Sequence, residues 1–164
     1  MAKTAAIRVL EASGCAFEIH EYKYVDKGGT RASSSALQVP EHQVIKTLVF
    51  EDDAKKPLIV LMHGDMKVST KALARHRGVK NISPCSPGIA QKHSGYQVGG
   101  TSPFGTRTVM PIYMQHSIAD LDSLYINAGR RGTLVKLSPS DLIAILAPEL
   151  VDIANLGSNL GLRS

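Results

Sequence analysis

The sequence predicts an α+β fold: a mixed, mainly antiparallel and barrel-like β-sheet with short helices around it. Three observations carry that expectation. Short runs of alternating or β-branched apolar residues recur along the chain, and Gly, Pro and Ser punctuate them at close intervals. Helical periodicity appears only in pieces, with none of the regular strand-helix alternation of βαβ units and no internal repeat. At 164 residues, 43% hydrophobic and 20% charged, the chain has the size and apolar content of one globular domain. That domain is expected over residues 1–156, with 157–164 a loose C-terminal tail.

Residues 4–13 place Ala6, Val9, Leu10 and Ser13 on one stripe before Gly14, which reads as a first helix with a glycine stop. Cys15, Phe17 and Ile19 then alternate with Ala16, Glu18 and His20, the period of a half-buried strand ending near Tyr22. A polar loop over 23–29 leads to a short serine-capped helix over 33–38, which Pro40 closes. The β-branched run 44–50 and the apolar run 58–62 form a hairpin across a charged turn. Ser69 caps a helix through His76 that Gly78 ends, and Ser86-Pro87 opens another with Gly95 past its end. Strands follow at 107–113, 123–127 and 132–137, the last two joined by a turn at 128–131. Ser138-Pro139-Ser140-Asp141 starts the final helix with a carboxylate at its positive end, and a short strand lies over 150–153.

Two features point to a site. Gly99-Gly100-Thr101-Ser102-Pro103-Phe104-Gly105 holds more glycine than a single turn needs, and such a loop can bring main-chain N–H groups against an anion or a polarised carbonyl. Lys46 sits inside the apolar run 44–50, either extending past a sheet rim or serving as a point charge for phosphate or carboxylate. The loop is neither a dinucleotide-binding fingerprint nor a P-loop. No metal motif accompanies the six histidines, and neither a G-x-S-x-G elbow nor a C-x-x-C pair occurs, so no cofactor, metal or protein nucleophile is expected. Cys15 and Cys85 read as small core residues.

A formal charge of +5 favours a polyanionic partner. Lys71 and Arg75 are i,i+4 neighbours flanked by Lys67, Arg77 and Lys80, and Arg130 with Arg131 forms a second basic spot. These are either a solvated face or an RNA contact. The first residues lack an apolar leader and no stretch approaches the ~18 apolar residues of a membrane span, so a cytoplasmic protein with no membrane partner is expected.

The strand carrying Lys46-Thr47-Leu48-Val49, the segment from Gly95 through the glycine loop, and Arg130-Arg131-Gly132 together resemble the YbaK-type family. Its members include Cys-tRNA(Pro) deacylases and the editing domain inserted in bacterial prolyl-tRNA synthetases. The resemblance implies a mixed α/β fold around a mainly antiparallel barrel. It also implies hydrolysis of the ester joining a wrong amino acid to a tRNA 3′ end, with prolyl-tRNA synthetase a candidate second partner. In cysteine-specific members the substrate's own thiol attacks its carbonyl and leaves as a thiolactone. Lys46 matches the lysine that orients the terminal nucleotide and aminoacyl group, and Gly99 the glycine whose backbone contacts the reacting end. Tyr22, Thr47, Gly100, Ser102 and Asp141 fall at pocket positions, Thr101 joins them from the same loop, and Lys67, Lys71, Arg75, Arg130 and Arg131 are the expected tRNA contacts. Residues 61–66 and 68–71 depart from the cysteine-specific members. Alanine or serine deacylation, and a non-catalytic tRNA- or synthetase-binding module, therefore stand as alternatives.

Overall fold

In the computed structural model, which describes residues 3–156, the chain opens with α1 (Ala5–Ser13). Thr4 caps it by accepting from Ile7 N–H, and Gly14 ends it in the left-handed conformation. An edge strand, β1 (Glu18–Glu21), and α2 (Gly29–Leu37) follow. Next come β2 (Val44–Asp52), β3 (Pro57–His63), β4 (Met66–Val68) and α3 (Thr70–Arg77). The second half holds β5 (Ile82–Pro84), α4 (Pro87–Ser94), β6 (Ile112–Gln115), β7 (Leu124–Arg130) and β8 (Thr133–Leu137). It ends with α5 (Pro139–Leu146), β9 (Glu149–Val151) and β10 (Ala154–Leu156).

Eight strands make one sheet in the order β1-β8-β7-β2-β3-β6-β9, with β5 also on β2, while β4 and β10 form a separate pair. The hairpin of β2 and β3 is its spine, paired antiparallel from Ile45 opposite His63 to Glu51 opposite Pro57. The sheet is mixed and open rather than the expected barrel. β2 runs parallel to β7, β3 to β6 and β6 to β9, and β1 and β9 end the order without meeting.

Both faces of the spine are covered, which is why β3 reads as an unbroken apolar run rather than an alternating one. Ile45, Val49, Ile59 and Leu61 face a core built with α1, α5 and the buried Phe104. Phe50, Leu58, Val60 and Met62 face a second core with Leu73 and Ala74 of α3.

Several expectations shift in place. The strand expected over 15–22 pairs only at 18–21, and Ile19 is 50% exposed because β1 borders β8 alone at the sheet edge. The helix expected at 33–38 starts at Gly29, where Gly28 occupies the cap position without a side-chain bond. The strand expected from 107 pairs only from Ile112. The turn expected at 128–131 is a bulge followed by a tighter reversal: Arg130 pairs Thr133, and the register shifts between Asn127 and Arg130. The strand expected at 150–153 pairs at 149–151. The expected tail, 157–164, lies outside the described residues.

Asp52 ends the hairpin. Its buried carboxylate accepts from the main-chain N–H of Lys56 (3.0 Å) and Ala54 (2.9 Å) and stands 3.5 Å from Arg77, whose Nη1 donates to Tyr113 Oη. The Lys56 and Ala54 amides and the Arg77 guanidinium hold the Asp52 carboxyl below the usual carboxylate range against the opposing effect of burial. Asp52→Ala is therefore expected to lower stability by about 2 kcal/mol at neutral pH. In urea melts the gap between variant and parent narrows as pH falls below about 4 toward the depressed folded-state value, because the parent alone loses this contribution.

Candidate functional site

The site arises from an interruption in strand pairing. One edge of β2 is taken by β3 along its length, but the other pairs with β7 only at Val44–Ile45 and with β5 only at Phe50–Asp52. Val44 C=O accepts on the β3 side and Val49 C=O accepts from Cys85 N–H on the opposite side, so strand alternation turns the Thr47 N–H and C=O away from β3 into the gap. A cavity of about 540 Å³ opens there, within the range of small-molecule sites. Lys46, Thr47, Tyr22, Tyr24, Gly99 and Arg131 are among the residues that line it. Thr47 Oγ1 is buried and has no hydrogen-bond partner among the described residues.

Lys46 does not extend to open solvent. It is half-buried, and its Nζ donates to the Met66 carbonyl on β4. Burial lowers its pKa, the carboxylates of Glu41 and Asp65 oppose that shift, and Lys67 adds to it. The surrounding polar groups are anchored. Thr30 Oγ1 donates to Glu41 (2.8 Å), His42 Nδ1 stands 2.9 Å from Asp65, and the His42 ring stacks on His63 at 3.7 Å. His63 is spoken for at both ring nitrogens, by the His42 carbonyl and Ser117 Oγ, and burial lowers its pKa.

The glycine loop adds Gly99 and Thr101 to the cavity lining and is anchored in the core. Phe104 is fully buried, Tyr96 Oη donates to its carbonyl at 2.6 Å, and Ser102 Oγ accepts from its N–H. Gly99 has φ of +97°, and a Cβ there would stand 2.5 Å from Tyr24 Oη. At Gly100 a Cβ would stand 2.7 Å from the Arg131 main-chain nitrogen. Glycine at these two positions thus lets the loop close on its neighbours, with Gly99 bordering the cavity.

The structure brings Lys46, Gly99, Tyr22, Thr47, Thr101 and Arg131 together and sets other expected residues apart. Gly100 packs against the Arg130–Arg131 backbone, and Ser102 is buried as the cap of Phe104. Asp141 lies in the first turn of α5 on a separate shallow groove with Phe17 and Lys136. Lys67, Lys71 and Arg75 are exposed on β4 and α3, the segment that starts at the Met66 carbonyl holding Lys46, whereas Arg77 turns inward to Asp52 and Tyr113. Arg130 is half-buried.

Tyr24, Asn127 and Cys85 are among the cavity residues that the sequence did not single out for the site. Tyr24 carried no motif, Asn127 lies on β7 just before its bulge, and Cys85, expected in the core, is half-buried against the core and also borders the cavity. Among the described residues no helix is long and apolar enough to cross a membrane.

The family model of the aminoacyl-tRNA editing domain matches residues 28–145, a span that holds Lys46, the glycine loop and both arginines. The chain belongs to this family. It is 23% identical over 152 residues, 92% of this chain and 93% of the other, to EbsC of Enterococcus faecalis, whose name proposes a Cys-tRNA(Pro)/Cys-tRNA(Cys) deacylase. The proline–tRNA ligase of Streptococcus equi subsp. equi is 30% identical over 96 residues, which is 58% of this chain and 15% of the ligase. Among solved structures, the hypothetical protein APE2540 superimposes with a TM-score of 0.85 at 19% identity, over 93% of this chain and all of that one. A protein described as a candidate trans-editing enzyme for prolyl tRNA synthetase does so with a TM-score of 0.82 at 20% identity, over 94% and 99%. The two structures show that this editing-domain chain shares their mixed α/β fold.

Cys85 looks like a nucleophile by position and is disarmed by its surroundings. Burial, followed by the nearby Glu51 carboxylate that its Sγ faces at 3.7 Å, pushes the thiol up to about 11. Alkylation of Cys85 by iodoacetamide, followed by peptide mass spectrometry, is expected to keep accelerating above pH 9, and Glu51→Gln to move the curve to lower pH. A plateau near pH 8.5 would show a thiol free of these neighbours.

Proposed function

We propose that this protein is a trans-acting aminoacyl-tRNA deacylase that removes a wrongly attached amino acid, with Cys-tRNA(Pro) its first substrate. The observation that carries this reading is one cavity lined by both Lys46 and Gly99, together with hydroxyls, tyrosines and a protonated thiol. Such a wall binds and orients an ester without supplying an attacking group. Family membership and the name of the EbsC relative support the same chemistry.

In the proposed mechanism Lys46 holds the terminal nucleotide and aminoacyl group, while the Thr47 main chain and hydroxyl and the Gly99 backbone offer partners to the ester and α-amino group. The substrate thiol adds to its own carbonyl carbon, the bond to the ribose oxygen breaks, and that oxygen takes the thiol proton. Cysteine leaves as a thiolactone and the tRNA 3′ end is restored. Alanyl or seryl esters lack this route and would need a water placed by the same main-chain groups. Of the two departing segments that raised those substrates, 61–66 is buried through His63 and then supplies the Asp65 carboxylate that opposes the lowering of the Lys46 pKa and the Met66 carbonyl that accepts from Lys46, while 68–71 leads into α3. Neither segment lines the cavity.

Deacylation of Cys-, Ala- and Ser-charged tRNA(Pro) by the purified protein is expected to be fastest for cysteine, and thiolactone is the product to detect. Release of no amino acid from any of the three while tRNA is still retained would favour a binding module. Lys46→Ala is expected to lose about a hundredfold or more in turnover with an unchanged circular dichroism melt; near-normal turnover would remove Lys46 from the mechanism.

The exposed run Lys67, Lys71 and Arg75 leads away from the Met66 carbonyl and suits the phosphates of an acceptor stem. Lys71→Glu with Arg75→Glu is expected to weaken tRNA binding and to flatten the slope of log K against log salt by roughly 1.5 to 2. An unchanged slope would exclude this face from the contact.

A further inference from the structure

Tyr24 and Arg131 meet at the cavity although they come from distant parts of the chain, the loop after β1 and the reversal between β7 and β8. The Arg131 guanidinium lies over the Tyr24 ring, 5.1 Å from its centroid. Its Nε donates to the Val98 carbonyl at 2.9 Å, which ties the arginine to the residue before Gly99. Its two terminal NH₂ groups take no partner among the described residues, and the side chain is exposed. Tyr24 in turn is seated by Gly99, where any Cβ would collide with its hydroxyl. A planar cation is thus held in fixed orientation, backed by an aromatic ring, next to the glycine that walls the cavity. Guanidinium and aromatic planes of this kind stack unpaired nucleobases.

Resting on the deacylase reading, we propose that Tyr24 and Arg131 form a layered platform on which the terminal purine of an RNA 3′ end stacks, so fixing the nucleoside that bears the ester. Tyr24 supports the inner face of the guanidinium, and the base lies on the outer face. Charge alone is insufficient, since a lysine ammonium has no plane to offer.

The test uses the full-length protein and an uncharged trinucleotide, CC followed by 2-aminopurine riboside, whose fluorescence is quenched by stacking. The parent protein is expected to quench it, Arg131→Lys to weaken binding roughly tenfold with loss of quenching, and Tyr24→Phe to retain both. Tyr24→Ala is expected to fall with Arg131→Lys. Absence of quenching at saturation, or full quenching by Arg131→Lys, would overturn the platform. Equal affinity for 2-aminopurine riboside monophosphate alone would overturn its assignment to an RNA end. Because the probe carries no ester, quenching without deacylation of any charged tRNA would sink the deacylase reading and leave the platform standing, and the reverse result would do the opposite.

Discussion

The rest of the molecule depends on the incomplete pairing of β2. A central strand buried on both faces is expected to satisfy its main chain on both edges. Here β7 leaves after Ile45 and β5 arrives only at Phe50, and the residues between keep one edge toward a cavity. That gap gives Lys46 and Thr47 a place inside the molecule. The remaining parts complete the site: β4 supplies the carbonyl that holds the lysine, and the glycine loop contributes to the cavity wall.

The glycine loop itself has two sides with different physics. Behind it, Phe104 and the Tyr96 hydroxyl lock it into the same core that receives Ile45 and Val49. In front, Gly99 and Gly100 let it approach Tyr24 and the Arg131 backbone more closely than any side chain would allow. The loop is therefore anchored where the sequence looks most permissive, and Ser102, which resembles a site hydroxyl, serves the anchoring side.

Much of this was legible in the sequence wherever a local rule decided the outcome. The hairpin of β2 and β3, the serine caps of α3, α4 and α5, and the glycine stops after α1, α3 and α4 follow from propensity, capping and periodicity. Lys46 and Gly99 stood out because a charge in an apolar run and a surplus of glycine are local anomalies. The parallel pairings of β2 with β7 and β3 with β6 were not legible, because no turn signal records which distant strand becomes a neighbour. The three-residue strands β4, β5 and β10 are too short to show a period. Tyr24, Asn127 and Cys85 reach the cavity through tertiary placement and look ordinary in sequence. Asp141 shows the converse: the family resemblance put it at a pocket position, and the fold turns it to another groove.

Peptide backbone reaches the cavity at two places, the Thr47 amide and carbonyl and the bare main chain at Gly99. Backbone is common to every residue, so its donors and acceptors survive most substitutions. A pocket built this way can tolerate extensive sequence drift around it while keeping the same hydrogen-bonding surface. Lineages can then retune what the pocket admits by changing a few neighbours, without rebuilding its main-chain surface.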